Sequence, residues 1–397
     1  MRCLELFSGC GGLAKGLELA GFEHAHFVEF NKDACKTLRI NFESNFVFEG
    51  DVRTFNFKSV GDVDIVAGGP PCQPFSMGGK HKAHDDSRDM FPYAINAIEA
   101  LSPKAFIFEN VKGLLRESFY EYFDYVIKRL TYPSLKLNEG ELWPSHLERL
   151  RHVDSAFYEG VCYDVQFRLL NAANYGVPQT RERVFIVGVR SDLGKKWSFP
   201  VATHSEQKLL WDKFVTYEYW RRHNIEFVPD SLEKSIGTKL ANMFGVFPPD
   251  GLAWVSLRDV LIDVPCPISD VHSIKDHIFK DGAKVYAGHT GSDFDLPSKT
   301  IKAGGHGVPG GENMIRFKDG SVRYLTTYES KLVQTFPRDF HITGAWGESM
   351  RQIGNAVPVS LAKIIGLHLH KLLSSKSESF TRTLCKKLHT SSFVLPN

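Results

Sequence analysis

The first half of the chain alternates short apolar runs with stretches of helical spacing, and glycine, asparagine or proline marks each switch. That rhythm permits few folds, because strands joined through helices lie parallel in one sheet with the helices packed on its faces. Strands are expected over 3–7, 26–30, 46–48, 63–67, 105–108, 165–169 and 184–189. After the first, Ser8-Gly9-Cys10-Gly11-Gly12 forms a tight loop, then Leu13, Leu17 and Ala20 recur at helical spacing up to Gly21, a helix stop. Asn31 predicts an N-cap for a helix through Asn41. Further helices are expected over 93–101, 119–130 and 360–373, and Thr326-Thr327-Tyr328-Glu329 reads as a capping box opening another.

At 397 residues the chain is long enough for two or three domains with full cores. Its 43% hydrophobic and 24% charged residues are a globular balance rather than a disordered one. No run of about 18 apolar residues occurs, so no membrane span is expected. Seven cysteines without a Cys-x-x-Cys pair argue against a disulfide framework or zinc ribbon and for a reducing cytoplasm. The net charge of +2 names no partner, so a polyanion would have to be held by local basic patches. From about 195 to 320 the βα rhythm disappears into Gly-, Pro- and aromatic-rich sequence, which sets a domain boundary there.

Three features gather at one edge of the expected sheet. The glycine loop lets backbone approach a ligand closely. Glu29 and Asp51 end the next two strands, where an acid can bind ribose hydroxyls. Gly68-Gly69-Pro70-Pro71-Cys72-Gln73-Pro74-Phe75-Ser76 then follows the fourth strand, and its prolines hold Cys72 in a stiff loop placed for nucleophilic attack rather than packing. Glu109 ends an apolar strand, which would raise its pKa towards that of a general acid. Arg181 and Arg183 lie in Gln179-Thr180-Arg181-Glu182-Arg183, a run that alone would be a solvated face.

Taken in order, Phe-x-Gly-x-Gly-Gly, Pro-Pro-Cys-Gln, Glu-Asn-Val, Gln-x-Arg-x-Arg and Gly354-Asn355-Ala356-Val357-Pro358 resemble the motifs of the C5-cytosine DNA methyltransferases. The resemblance covers 2–189 and 323–373. It implies an α/β fold: a doubly wound, Rossmann-like methyltransferase domain (1–192 and 321–397) that binds S-adenosylmethionine, and a smaller irregular target-recognition domain (193–320). It further implies that Phe7, Ser8, Gly9, Gly11 and Gly12 form the cofactor loop. Glu29 would meet the ribose, Phe30 would lie against the adenine, and Asp51 would accept from its amino group. Val52, Gly69, Pro71, Asn355 and Ala356 would complete that pocket. Cys72 matches the nucleophile, flanked by Gln73 and Ser76; Glu109 matches the acid facing the base, and Arg181 and Arg183 the arginines beside it. The segment 78–90 resembles the catalytic loop, and Thr300, Ile301, Lys302, Gly304 and Gly305 resemble the DNA-recognition segment.

No metal is implied. Double-stranded DNA is the implied partner of a monomeric, cytoplasmic enzyme from a bacterial restriction–modification system, sharing its site with a cognate restriction endonuclease without contacting it. One departure is an aromatic and charged insertion over 114–162, expected to pack on the sheet. Three rival readings fit the residues less well. Cys72, Glu109 and Arg183 are all present, against an inactive DNA-binding relative. The Cys-Phe-Thr tripeptide of the RNA cytosine methyltransferases is absent. Ala14 stands where a nicotinamide or flavin fingerprint needs its third glycine.

Overall fold

The computed structural model describes residues 1–42, 46–71, 89–155, 157–268, 274–303 and 313–375. Within them, seven strands form one sheet: β1 (Arg2–Leu6), β2 (Glu23–Glu29), β3 (Val47–Glu49), β4 (Ile65–Gly68), β5 (Ala105–Val111), β6 (Tyr163–Asn171) and β8 (Glu182–Arg190). The short β7 (Gln179–Thr180) lies outside it and pairs with a later strand. The order across the sheet is β3-β2-β1-β4-β5-β8-β6. Strands β1 to β5 are parallel, as expected from the rhythm. β8 corrects that expectation, because it runs antiparallel between β5 and β6 and makes the sheet mixed.

Alternation along the strands splits the core into two layers. Leu4, Leu6, Val66, Phe106 and Phe108 face one side, where α3 (Phe91–Leu101), α4 (Tyr120–Thr131) and α5 (Trp143–Arg151) cover them. Cys3, Ile65, Ala67, Ala105 and Ile107 face the other, under α1 (Gly12–Leu19) and α12 (Val359–Ser374). The α1–α12 crossing is close because it is built on small residues: a Cβ on Gly16 would stand 2.4 Å from that of Ala362. Asn31 caps α2 (Lys32–Asn41) by accepting from the Ala34 N–H, and Thr326 with Glu329 forms the expected capping box of α10 (Thr327–Val333). Trp346–Ser374 is long and apolar enough to cross a membrane by composition, but Pro358 separates α11 (Trp346–Asn355) from α12, and half of its most apolar window is buried.

Among the described residues, the stretch read as irregular contains four helices: α6 (Glu206–Phe214), α7 (Glu218–Arg222), α8 (Ser231–Phe244) and α9 (Leu257–Leu261). Leu209, Tyr219 and Trp220 make a small core of their own there. The expected boundary at residue 320 falls in the turn of an antiparallel hairpin, β13 (Met314–Arg316) with β14 (Val322–Tyr324). Ile301 and Ile315, from one side of that boundary, pack with Leu325, Tyr328, Met350 and Ile353 from the other.

The segment between β5 and β6 packs on the sheet as expected, with Phe123 of α4 edge-on to Phe167 of β6 at 4.7 Å. Inside it, His146 is fully buried, its Nδ1 3.1 Å from the Tyr125 hydroxyl. Burial, then the charges of Arg129 and Arg149, lower its pKa to about 4. An unfolded histidine titrates near 6.5, so between there and about 4 the unfolded chain takes up a proton that the fold refuses. Stability from this group is complete above pH 6.5 and lost as pH falls towards 4. The urea midpoint should therefore drop over that window, and His146→Gln should flatten part of the slope; an unchanged slope in the variant would show that this imidazole does not set it.

Candidate active site

The strand order reverses between β1 and β4, which leaves a crevice at their carboxyl ends. Phe7 to Gly11 leave β1 into it, with Phe7, Gly9 and Gly11 at positive φ (54°, 53° and 87°). Glu29, at the end of β2, ties the loop down: its Oε2 accepts from Gly9 N at 2.7 Å and its Oε1 from Asn31 N at 2.7 Å. Ser8 is buried and donates to the Glu5 carbonyl. Next to Glu29, the Phe30 ring is 74% exposed, an aromatic face uncovered by protein. A Cβ on Gly9 would meet nothing within 4 Å. Asp51, after β3, accepts from Arg53 N and Nε at 2.9 Å each, and Arg53 holds its carboxyl below the usual range. Val52 beside it is buried. Loop, exposed ring, the Glu29 carboxylate and open space at one edge fit the adenosine half of S-adenosylmethionine. Glu29, bonded once per oxygen, still has lone pairs for hydroxyl donors, whereas Arg53 engages both oxygens of Asp51.

Gly69, Pro70 and Pro71 carry the chain off β4 towards Cys72. Gly68 lies so close to β1 that a Cβ there would stand 2.2 Å from the Leu6 carbonyl. Asn110, the middle residue of Glu-Asn-Val, donates from Nδ2 to the Pro70 carbonyl at 3.0 Å and so fixes the loop on β5. Cys72, Gln73 and Ser76 lie outside the described residues, as do 78–88 of the expected catalytic loop and Gly304 and Gly305.

Glu109 is buried at the end of β5, with the Arg183 Nε 2.9 Å from its Oε1. Burial raises the Glu109 carboxyl above the usual range, while the charges of Arg183 and Arg181 pull the other way. The antiparallel course of β8 creates this pair. It sets Arg183 opposite Val111 and Phe185 opposite Glu109, so the first residues of β8 meet the last of β5 on one face. In front lies a polar cavity of ≈ 360 Å³ lined by Lys112, Asn171, Thr180, Glu182, Arg183 and Thr300.

Arg181 stands apart from that cavity. It is 1% exposed and donates to the carbonyls of Ile301 (3.2 Å) and Gly354 (2.9 Å). Gln179 accepts from Ile301 N at 3.0 Å and donates to Gln334, which in turn donates to the carbonyls of Ile353 and Ala356. Asn313 both accepts from Lys302 N and donates to Lys302 O at 3.1 Å. These buried side chains bind the returning segment 300–303 to the final motif. Gln179 and Arg181 belong to the Gln-x-Arg-x-Arg motif legible in the sequence, but nothing in a lone Gln334 or Asn313 distinguishes it before folding. The Ile301 side chain is in the core, so it offers no surface to DNA; Thr300, which donates to Thr180 O, and the exposed Lys302 flank it. Asn355 is exposed and Ala356 buried beside Gly12, where a Cβ would stand 3.0 Å from that of Ala356.

Gly354 is fixed by this interlock, because a Cβ on it would stand 2.4 Å from Ala303 N. Backbone cannot yield as a side-chain tip can, so Gly354→Ala should destabilise the fold by about 1–3 kcal/mol. Denaturant melts would measure it, and a loss below about 0.5 kcal/mol would mean that the segment moves aside freely.

Comparison with known proteins follows the same architecture. The family model of the C-5 cytosine-specific DNA methylases matches residues 1–132 and 144–371, and its gap falls between α4 and α5, narrowing the departure expected over 114–162. The type II methyltransferase M.PspPI of Psychrobacter sp. is 32% identical over 94% of this chain and 79% of its own length. M.Sau96I of Staphylococcus aureus is 32% identical over 92% of this chain and 74% of its own. Among solved structures, Spodoptera frugiperda DNMT2 superposes with a TM-score of 0.55 at 17% identity, covering 93% of this chain and 99% of that one, a likeness of fold. The chain belongs to the C-5 cytosine-specific DNA methylase family and is an S-adenosylmethionine-dependent DNA (cytosine-5-)-methyltransferase of the type II restriction–modification kind.

Proposed function

We propose that Cys72, Glu109 and Arg183 together activate a cytosine turned out of duplex DNA, with the cofactor held along Phe7–Gly12, Glu29, Phe30, Asp51, Val52, Gly69, Pro71, Asn355 and Ala356. The Glu109–Arg183 pair beside the polar cavity is the observation that carries this reading. When bound, S-adenosylmethionine supplies a methyl group on a sulfonium sulfur. The chain's task is to make C5 of the base electron-rich. Addition of the Cys72 thiolate at C6 converts the ring to an enamine, and the carboxyl of Glu109, kept more protonated by its burial, holds a proton at N3. Once C5 carries the methyl group, loss of the C5 proton and departure of the Cys72 thiolate from C6 restore the aromatic ring. The Arg183 guanidinium offers its charge to O2, where negative charge develops. Arg181 is spent on the Ile301 and Gly354 carbonyls, so it holds backbone in place rather than meeting the base. Attack at C6 comes from above the ring plane, where stacked neighbours would block it, so the base has to leave the helix.

DNA containing 5-fluorocytosine should trap the wild-type protein covalently, because the fluorine cannot leave as the proton does. Cys72→Ser should abolish both trapping and turnover while S-adenosylmethionine still binds by calorimetry. Burial holds the thiols of Cys10 and Cys35 up at about 12, so they cannot compete. An adduct mapped to any cysteine other than Cys72 would overturn the assignment.

The region 193–320 is proposed as the target-recognition unit. It supplies Thr300 to the cavity, and the exposed Lys302 precedes the glycine-rich stretch. A bidentate contact to a base edge discriminates by about 1–3 kcal/mol, so a few side chains suffice for a short site. In this reading the enzyme works as a monomer in the bacterial cytoplasm and protects DNA sites that a partner endonuclease cuts. Replacing 193–320 by the same region of a relative with another target should move the methylated site in bisulfite maps. An active chimera that keeps the original site would place recognition elsewhere.

A further inference from the structure

The segment between β5 and β6 has no part in the chemistry above, yet it reaches the loop that carries Cys72. The Tyr122 ring is edge-on to Trp143, with centroids 5.6 Å apart at 87°, and 6.0 Å from Tyr125. Tyr125 is itself held by the fully buried His146. All four side chains come from α4 and α5, so this segment braces the Tyr122 ring. The Tyr122 hydroxyl points out of that nest and donates to Oδ2 of Asp89.

Asp89 is only 6% exposed. Its Oδ1 accepts from Phe91 N at 3.1 Å, which anchors the first turn of α3. A carboxylate at that depth is costly unless its oxygens are bonded, so Tyr122 and Phe91 N hold it where it is. One residue on, Met90 N donates to the Pro71 carbonyl at 3.4 Å. The chain leaving β4 and the chain entering α3 thus meet at one place. The residue after Pro71 is Cys72.

We propose that Tyr122 is a positioning residue for Cys72. Through Asp89 it fixes the Pro71–Met90 contact, and with it the point from which the nucleophile is presented. The inference rests on the reading of Cys72 as the nucleophile given above. A misplacement of about 1 Å at reacting atoms can cost about 100-fold in rate, so one hydroxyl behind the loop has leverage.

Tyr122→Phe removes the hydroxyl and keeps the ring in its nest. In the full-length protein, well below the melting temperature, single-turnover methylation and trapping by 5-fluorocytosine DNA should slow about tenfold. S-adenosylmethionine affinity and the KM for DNA should stay within about twofold of wild type. Asp89→Asn should slow the same step, and the double variant should be no slower than the worse single, because both changes break one contact. A Tyr122→Phe rate within twofold of wild type overturns the proposal. So does a rate loss matched by equal loss of cofactor affinity, or one that only tracks the unfolded fraction. If the wild type forms no adduct at Cys72, the reading beneath the proposal fails instead, and the two failures are told apart by that control.

Discussion

The reversal of one strand organises this site. A parallel β8 would begin at the opposite edge of the sheet, some 20 Å from the end of β5 by the length of a strand of about six residues. Running antiparallel, β8 starts where β5 stops, and Arg183 meets Glu109 in a pocket that excludes most water. Each group alone would be expensive there, since a buried charge without a partner costs several kcal/mol. Together they are tolerated, and the carboxyl keeps a raised affinity for a proton because burial outweighs the pull of the arginines. The parallel strands do the complementary work: their carboxyl ends gather Gly9, Glu29, Asp51 and Gly69 around one crevice.

A second constraint lies behind the pocket. Arg181, Gln179 and Gln334 are buried polar groups that spend their hydrogen bonds on backbone from two distant parts of the chain, Ile301 and 353–356, and on one another. A network of this kind gains little net stability, since its bonds replace bonds to water, but any other arrangement leaves its members unpaired. It therefore specifies geometry more than it stabilises. The segment 300–303 has one place to lie, across Gly354, and Thr300 is set at the cavity as a result.

The regions poorly legible in the sequence share a physical cause. Helices α6 to α9 were missed because none has a long apolar stripe; α8 buries only Gly237 and Leu240. Its start was readable, since Asp230 and Glu233 form a capping box, as Ser256 and Asp259 do for α9. The β13–β14 hairpin crosses an expected domain boundary because a composition shift marks where packing style changes, not where the chain stops making contacts. Ile301 looked like part of a recognition segment, and only burial revealed that its side chain belongs to the core.

What the sequence determined by itself was local or ordered along the chain. The strands of the first half, the Asn31 and Thr326 caps, and the glycine loop follow from spacing and backbone preference, which act over a few residues. The succession of five motifs likewise named the family without a structure. The tertiary structure decided strand direction and every contact between residues far apart in the chain. Spacing carries no record of which way β8 runs, so the Glu109–Arg183 pair could not be read as a contact. Nor could the Gln179–Gln334 relay or the Tyr122–Asp89 bond, because such partners are chosen only when burial removes water as the alternative.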